Sequence, residues 1–287
     1  MLKILVACLL TTALYSEGKY SAIREEILLA KEEERGVGSV SFLQRTASFN
    51  RFAHPRVNHF SRSAELYAYN SESVDDLEWG CAWRAIQTSL SPYYKPPSFK
   101  DLYETFGGRE FIASTAREHG ITAVDEQDWL APHEEWHMWG DPFIGHMIFL
   151  SLGIESSLIA VHDIPSSYSP KYAEEIVDFR TFSKLICDHF KKGGYPAMID
   201  NGTYALNIIG ADKKWGNLYL MIMDPHLNAD RNKDSLNGLY IVEIDQEGHQ
   251  VSIDYPAKKN HFDPMSYKTL QFSKETKWSV LLSGERI

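Results

Sequence analysis

Apolar and polar positions follow two rhythms along this chain, one helical and one strand-like. Ala82, Ala85, Ile86 and Leu90 recur on one face at helical spacing, and Gly80 permits a tight turn immediately ahead of them. Residues 99–106 and 110–118 read as short helices, and residues 182–192 as a longer one that Gly193-Gly194 ends. Residues 144–152 and 156–162 are continuous apolar runs, a pattern that suits a buried strand and a buried helix equally. The loop from Pro165 to Pro170 separates them from the helix at 182–192. In the last third, apolar segments at 197–199, 205–210, 213–216 and 218–223 are punctuated by turn residues such as Asn201-Gly202, as in an antiparallel meander. Residues 239–244 and 251–253 are further strand candidates.

The N-terminal part is different. Residues 21–35 have helical character with Ser21 as cap and Gly36 as stop, but their apolar face holds only Ile23, Ile27, Leu28 and Ala30. Residues 36–63 lack periodicity. The organisation expected is a leading segment at 1–18, a helical or flexible arm at 19–61 and one packed domain at 62–287, beginning near Arg62. Within the leading segment, Met1-Leu2-Lys3, a mostly apolar run at 4–15 and Ser16-Glu17-Gly18 fit a signal or targeting peptide, through which the chain would meet a membrane. A buried N-terminal strand or helix fits as well, because Thr11 and Thr12 interrupt the run.

A 44% hydrophobic content is enough to fill a core, so global disorder is excluded. With 29 Lys+Arg against 39 Asp+Glu the formal charge is −10, and no basic stretch is long enough to track a phosphate backbone, so nucleic acid is not expected as a partner. Cys8, Cys81 and Cys187 are the only cysteines, too few for a disulfide framework or a cysteine-rich zinc module. Each thiol must be explained singly.

Cys81 stands at the start of its helix. Unpaired N–H groups and the helix dipole favour a thiolate there, the form that attacks a carbonyl carbon. Alone, the position also suits a small buried hydrophobe. The apolar stretch 218–223 runs into Asp224-Pro225-His226, where residues two apart on extended backbone share a face, so the Asp224 carboxylate can orient the His226 imidazole. Alone, this run also reads as an ordinary turn.

Together, WGCAWRAIQTSL around Cys81 and YPAMIDNGTYALNIIGADKKWGNLYLMIMDPHL resemble the ubiquitin-fold-modifier-specific cysteine proteases (UFSP family). The resemblance runs from Tyr67 to Leu282 and is dense around Cys81 and Asp224 to His226. It implies an α/β (α+β) papain-like fold, with the nucleophile at a helix N-terminus packed on a mainly antiparallel sheet. It implies catalysis by Cys81, Asp224, His226 and Tyr69, the last lending its hydroxyl to the oxyanion hole. Trp79, Gly80 and Trp83 around the nucleophile are substrate-binding candidates, the two tryptophans either covering a narrow tunnel or simply packing. The substrate implied is a ubiquitin-like modifier, cleaved after its C-terminal Gly both in its precursor and in its conjugates, without metal or organic cofactor. The same resemblance puts a closing strand near Phe262 to Tyr267 and favours cytoplasmic or ER-associated work, with secretion as the alternative that residues 1–18 raise. Glu78 and Leu206 depart from the family pattern, which has a glycine and commonly a histidine at those places.

Three other readings compete. His133-Glu134-Glu135-Trp136-His137 is a literal HExxH, with Glu155 as a third zinc ligand, although Pro132, Gly140 and Pro142 confine the helix such a site needs. The autophagy-type modifier proteases share Trp-Gly-Cys and Asp-Pro-His, while Gln87-Thr88 and the Asn-Gly meander favour the first family. An inactive modifier-binding module draws its support from Glu78. Cys187, amid Leu185, Ile186 and Phe190, reads as core, and His119, His146 and His189 as structural histidines.

Overall fold

The computed structural model describes residues 56–61, 64–65, 67, 69, 76, 79–93, 96–106, 109–121, 140–162, 173, 175–226, 239–254, 272–273 and 276–284. The elements in chain order are α1 (Cys81–Leu90), α2 (Phe99–Phe106), α3 (Arg109–Glu118), α4 (Pro142–Ser151), β1 (Ser156–Val161), β2 (Glu175–Val177), α5 (Phe179–Lys191), β3 (Ala197–Asp200), β4 (Ala205–Lys214), β5 (Asn217–Met223), β6 (Leu239–Ile244), β7 (Gln250–Asp254) and β8 (Trp278–Ser283). The strands form one sheet in the order β2-β1-β8-β3-β4-β5-β6-β7. Every neighbouring pair is antiparallel except β1 with β2. This is the expected α/β (α+β) arrangement, a cysteine-bearing helix on a mainly antiparallel sheet.

Strand alternation divides the core. Leu158, Met198, Ala205 and Leu281 face α1 and α4, whereas their neighbours Ile159, Ile199, Leu206 and Val280 join the cluster under α5. A period of two thus gives each strand one face per helical layer. The two ambiguous apolar runs resolve differently. Asp141 caps α4 by accepting the Ile144 N–H at 2.8 Å, with Pro142 in the first turn, so the first run is a helix. The second becomes β1, bonded on both sides and therefore apolar on both faces.

The central helix α1 is buried along its whole length. Asn207 on β4 ties it down, donating to the Ala85 carbonyl at 3.0 Å and to Ser89 Oγ at 2.8 Å. The sequence suggested separate segments at 205–210 and 213–216. The strand β4 takes in the first and runs on to Lys214, interrupted by a bulge between Ile208 and Gly210, and Trp215-Gly216 form the turn into β5. The bulge admits a crossing segment: Ser61 N–H donates to Ile209 O at 2.7 Å, and Ala211 N–H to His59 O at 3.1 Å. A Cβ on Gly210 would lie 2.9 Å from the Phe60 Cβ, so the crossing requires glycine. Val57 is buried beside Ile209, Met221 and Met223, so packed chain extends ahead of Arg62. The expected segment 1–18, most of the arm and the strand expected near Phe262 to Tyr267 lie outside the described residues.

Candidate active site

Cys81 is the first residue of α1, 4% exposed, and no side chain caps the helix before it. The turn that delivers it is built on Asp76. Its carbonyl accepts the N–H groups of Trp79 at 3.3 Å and Gly80 at 2.9 Å, and its carboxylate accepts Arg84 Nε at 2.7 Å. Asp76 and Arg84 are both 0% exposed. Arg84 also donates to Gln87 Oε1 at 3.0 Å, Gln87 donates to the Pro97 carbonyl at 2.9 Å, and the guanidinium lies 4.3 Å over the Phe99 ring. Burying two charges stabilises a structure only when their hydrogen-bonding groups are also met, and these contacts engage the Nε and Nη1 of Arg84. A Cβ on Gly80 would sit 2.5 Å from Asp76 Oδ2, so the residue before the cysteine can only be glycine while this turn stands. The Asp76–Arg84 pairing has no signature in the sequence beyond its two opposite charges flanking Cys81.

The sheet supplies the other half. Asp224 follows the last residue of β5 and is 1% exposed. Its Oδ1 meets His226 Nδ1 at 2.6 Å and accepts the His226 N–H at 2.9 Å, while Tyr240 donates to Oδ2 at 3.3 Å. Pro225 lies past the strand end, where its missing N–H leaves no ladder bond unmade. Burial pulls the His226 imidazole down, but the charge and hydrogen bond of Asp224, followed by contact with Cys81, outweigh it and hold the ring at about 10. An imidazole paired this way readily holds a proton taken from the neighbouring thiol.

Tyr69 joins the two halves. Its N–H donates to the Pro225 carbonyl at 2.9 Å, its ring stands edge-on to His226 at 5.3 Å, and its hydroxyl lies within electrostatic reach of the Cys81 side chain. Burial, reinforced by Cys81, raises this phenol far above its ordinary value, so it stays a neutral donor. Thus the four residues expected from the sequence, Cys81, Asp224, His226 and Tyr69, converge in space. A fifth residue, the aromatic Tyr204, also approaches His226, with ring centroids 5.3 Å apart. Nothing in the sequence singled it out.

The residues expected along the substrate path separate. Gly80 is buried in the turn and Trp79 is half-buried, edge-on to Phe99 at 5.3 Å. Trp83 is 0% exposed and packs against Gly140. It is a core residue rather than a path-lining one, because every position of α1 is enclosed. Leu206 belongs to the core under α5. Cys187 packs there too, its thiol pushed up to about 11 by burial. His146 bonds Ser156 Oγ at 2.8 Å and His189 the Tyr195 carbonyl at 2.7 Å, as structural histidines do. Glu78 and the His133-Glu134-His137 motif lie outside the described residues; among the described residues no three His, Cys, Asp or Glu side chains group as metal ligands.

The model of Peptidase family C78 matches residues 55–250, more than half of the chain. A probable Ufm1-specific protease of Oryza sativa subsp. japonica is 24% identical over 186 residues, covering 61% of this chain and 25% of its own length. Human Ufm1-specific protease 2 is 27% identical over 161 residues, covering 55% of this chain and 30% of its own. The crystal structure of UfSP from C. elegans superimposes with a TM-score of 0.44 at 18% identity, over 79% of this chain and 33% of that one. The chain therefore spans between a quarter and a third of the length of these relatives. Since the family match takes in both the Cys81 turn and the segment from Asp224 to His226, this chain belongs to peptidase family C78.

Proposed function

We propose that this chain is a thiol-dependent peptidase and isopeptidase that cleaves after the C-terminal Gly of a ubiquitin-like modifier, Ufm1, the modifier named for its relatives. It would act on the modifier's precursor and on its conjugates. One geometry carries the reading: Asp224 holds His226 Nδ1 at 2.6 Å, the Tyr69 ring stands edge-on to the imidazole at 5.3 Å, and both side chains lie within electrostatic reach of the Cys81 thiol. That is a nucleophile, a base, an orienter and an uncharged oxyanion donor within one constellation.

In this mechanism His226 takes the Cys81 proton, and the resulting thiolate attacks the carbonyl carbon after which the modifier is cut. The Tyr69 hydroxyl and the Cys81 N–H hold the oxyanion that forms. His226 returns its proton to the leaving amine as the C–N bond breaks, leaving a thioester on Cys81. Water, deprotonated by His226, then attacks that thioester and releases the modifier's carboxylate and the free thiol. Asp224 keeps one tautomer and one ring orientation throughout.

A modifier with a vinyl-ester electrophile in place of its C-terminal carboxylate tests the reading. The Ufm1 probe is expected to label Cys81, and Cys81→Ala is expected to abolish labelling. Labelling by a probe built from the autophagy modifier alone would transfer the substrate assignment, and retention of turnover in Cys81→Ala would overturn the chemistry.

A further inference from the structure

Tyr204 is placed with unusual care for a hairpin residue. It follows β3 in the short connection to β4, where Asn201 Oδ1 accepts the N–H groups of Thr203 at 3.0 Å and Tyr204 at 2.9 Å. Asn201 N–H returns a bond to the Tyr204 carbonyl at 3.3 Å, Asp200 Oδ1 accepts the Gly202 N–H, and Gly202 supplies the positive φ of 86°. The hairpin is stapled at each residue. Its product is a half-buried aromatic ring set at 62° to the His226 imidazole.

Without it, His226 would be under-constrained. Asp224 fixes Nδ1 by one hydrogen bond, an arrangement that still lets the imidazole pivot about the Nδ1–Oδ1 direction and carry its other nitrogen away from the thiol. Tyr69 limits that pivot from one ring contact. A second ring, arriving from a different element at an independent angle, limits the remaining freedom.

We infer that Tyr204 is a positioning residue: the Asn201-stapled hairpin holds its ring against His226 and so keeps the imidazole in register with Cys81. This rests on the assignment of Cys81 and His226 as nucleophile and base. The ring contact matters and the hydroxyl does not, so phenylalanine serves and an aliphatic side chain of similar bulk does not. Among the described residues, the titratable groups acting on His226 are Asp224 from the end of β5 and Cys81 from α1, with the Tyr69 ring beside them; Asp200, at the start of the hairpin, lies within electrostatic reach of Asp141 instead.

The rate of iodoacetamide alkylation at pH 6, followed at the Cys81 peptide by mass spectrometry, reports thiol–imidazole pairing without any substrate. Wild type is expected to react at least tenfold faster than His226→Asn. Tyr204→Phe should stay within about twofold of wild type, and Tyr204→Leu should lose about tenfold, which corresponds to about one unit of proton affinity. Asn201→Ala, which keeps the ring but loosens the hairpin, should lose an intermediate amount and decides the matter if Tyr204→Leu does not fold. A wild-type rate in both Tyr204→Leu and Asn201→Ala would overturn the positioning role alone. A wild type no faster than His226→Asn would overturn the catalytic assignment with it.

Discussion

Gly80→Ala looks harmless on backbone grounds, since Gly80 has φ −82° and ψ 0°, a conformation any residue adopts. Restricting the unfolded chain would even stabilise the protein by about 0.4–1 kcal/mol. The packing predicts the opposite sign. The added methyl would meet three atoms of Asp76, at 2.5, 2.7 and 3.0 Å. Asp76 cannot yield, because Arg84 grips its carboxylate at 2.7 Å and neither side chain touches solvent. Overpacking a rigid interior costs about 1–3 kcal/mol, and opening a buried ion pair costs about 3–5 kcal/mol. Partial relaxation along both routes gives a net loss of about 3 kcal/mol. For a domain of this size that corresponds to a fall of roughly 6–12 °C in Tm. Thermal unfolding followed by circular dichroism measures it, and modifier-probe labelling of Cys81 measures the displacement of the thiol. Gly80→Ala combined with Asp76→Ala should be less damaging than the sum of the two single changes, because they share one contact. A variant melting within 2 °C of wild type and labelling at an unchanged rate would refute the reasoning, since it would mean that Asp76 moves aside freely.

Tyr69→Phe should lower kcat by about 10²–10³ while leaving KM and alkylation of Cys81 near wild type, as removal of one oxyanion donor does; an unchanged kcat would discard that role. The imidazole of His226 is raised from 6.5 to about 10, so the stability it adds is complete below about 6.5 and disappears as pH rises through 10. Activity should keep its general acid over the same range, and a basic limb near pH 7 in kcat/KM would show that Asp224 does not hold the ring. Asp200 is raised to about 7 by burial, with Asp141 adding to the effect and the Gly202 N–H opposing it. Its contribution is complete below about pH 3.8 and is lost as pH rises through 7, so Asp200→Asn, which keeps the acceptor for Gly202, should exceed wild type in stability at pH 8 by up to about 4 kcal/mol, the rise from 3.8 to about 7 at about 1.4 kcal/mol per pH unit, and match it at pH 4. Urea unfolding at the two pH values checks this, and equal stability at both would refute it.

Cys81, Asp224 and His226 were legible as candidates because each sits in a local pattern, a cysteine opening an amphipathic run, and a carboxylate and imidazole two residues apart at the end of an apolar strand, whereas Tyr69 was reached only through the family resemblance. The helix α2 carried its boundaries in its own periodicity, and the meander of β3 to β5 carried its turns. Where legibility failed, the cause was distance along the chain. β8 lies in the middle of the sheet, between β1 and β3, although Trp278 to Ser283 is far from both in sequence. No local rule announces such a pairing. β2, three residues long, is defined only by its partner β1. α5 begins at Phe179 rather than 182 because Asp178 accepts the Thr181 N–H, a cap that outweighs the weak apolar signal of its first turn. Asp76 with Arg84, and Tyr204 with His226, are matches between side chains, which composition and period do not encode. Trp83 misled for the same reason: an aromatic beside a nucleophile reads as substrate-lining until the layer covering it is seen.

The bond from Tyr69 N–H to the Pro225 carbonyl fastens the proposed oxyanion donor to the same loop that carries Asp224 and His226. The proposed catalytic apparatus is therefore two mechanical parts rather than four: a loop assembly seated on β5, and the tip of α1. The spacing between them is a question of how α1 is seated on β4, which the two bonds from Asn207 to Ala85 and Ser89 set, well behind the chemistry. Changes at Asn207 would act like a shim under the helix, altering the gap between thiol and imidazole while every reacting group remained intact.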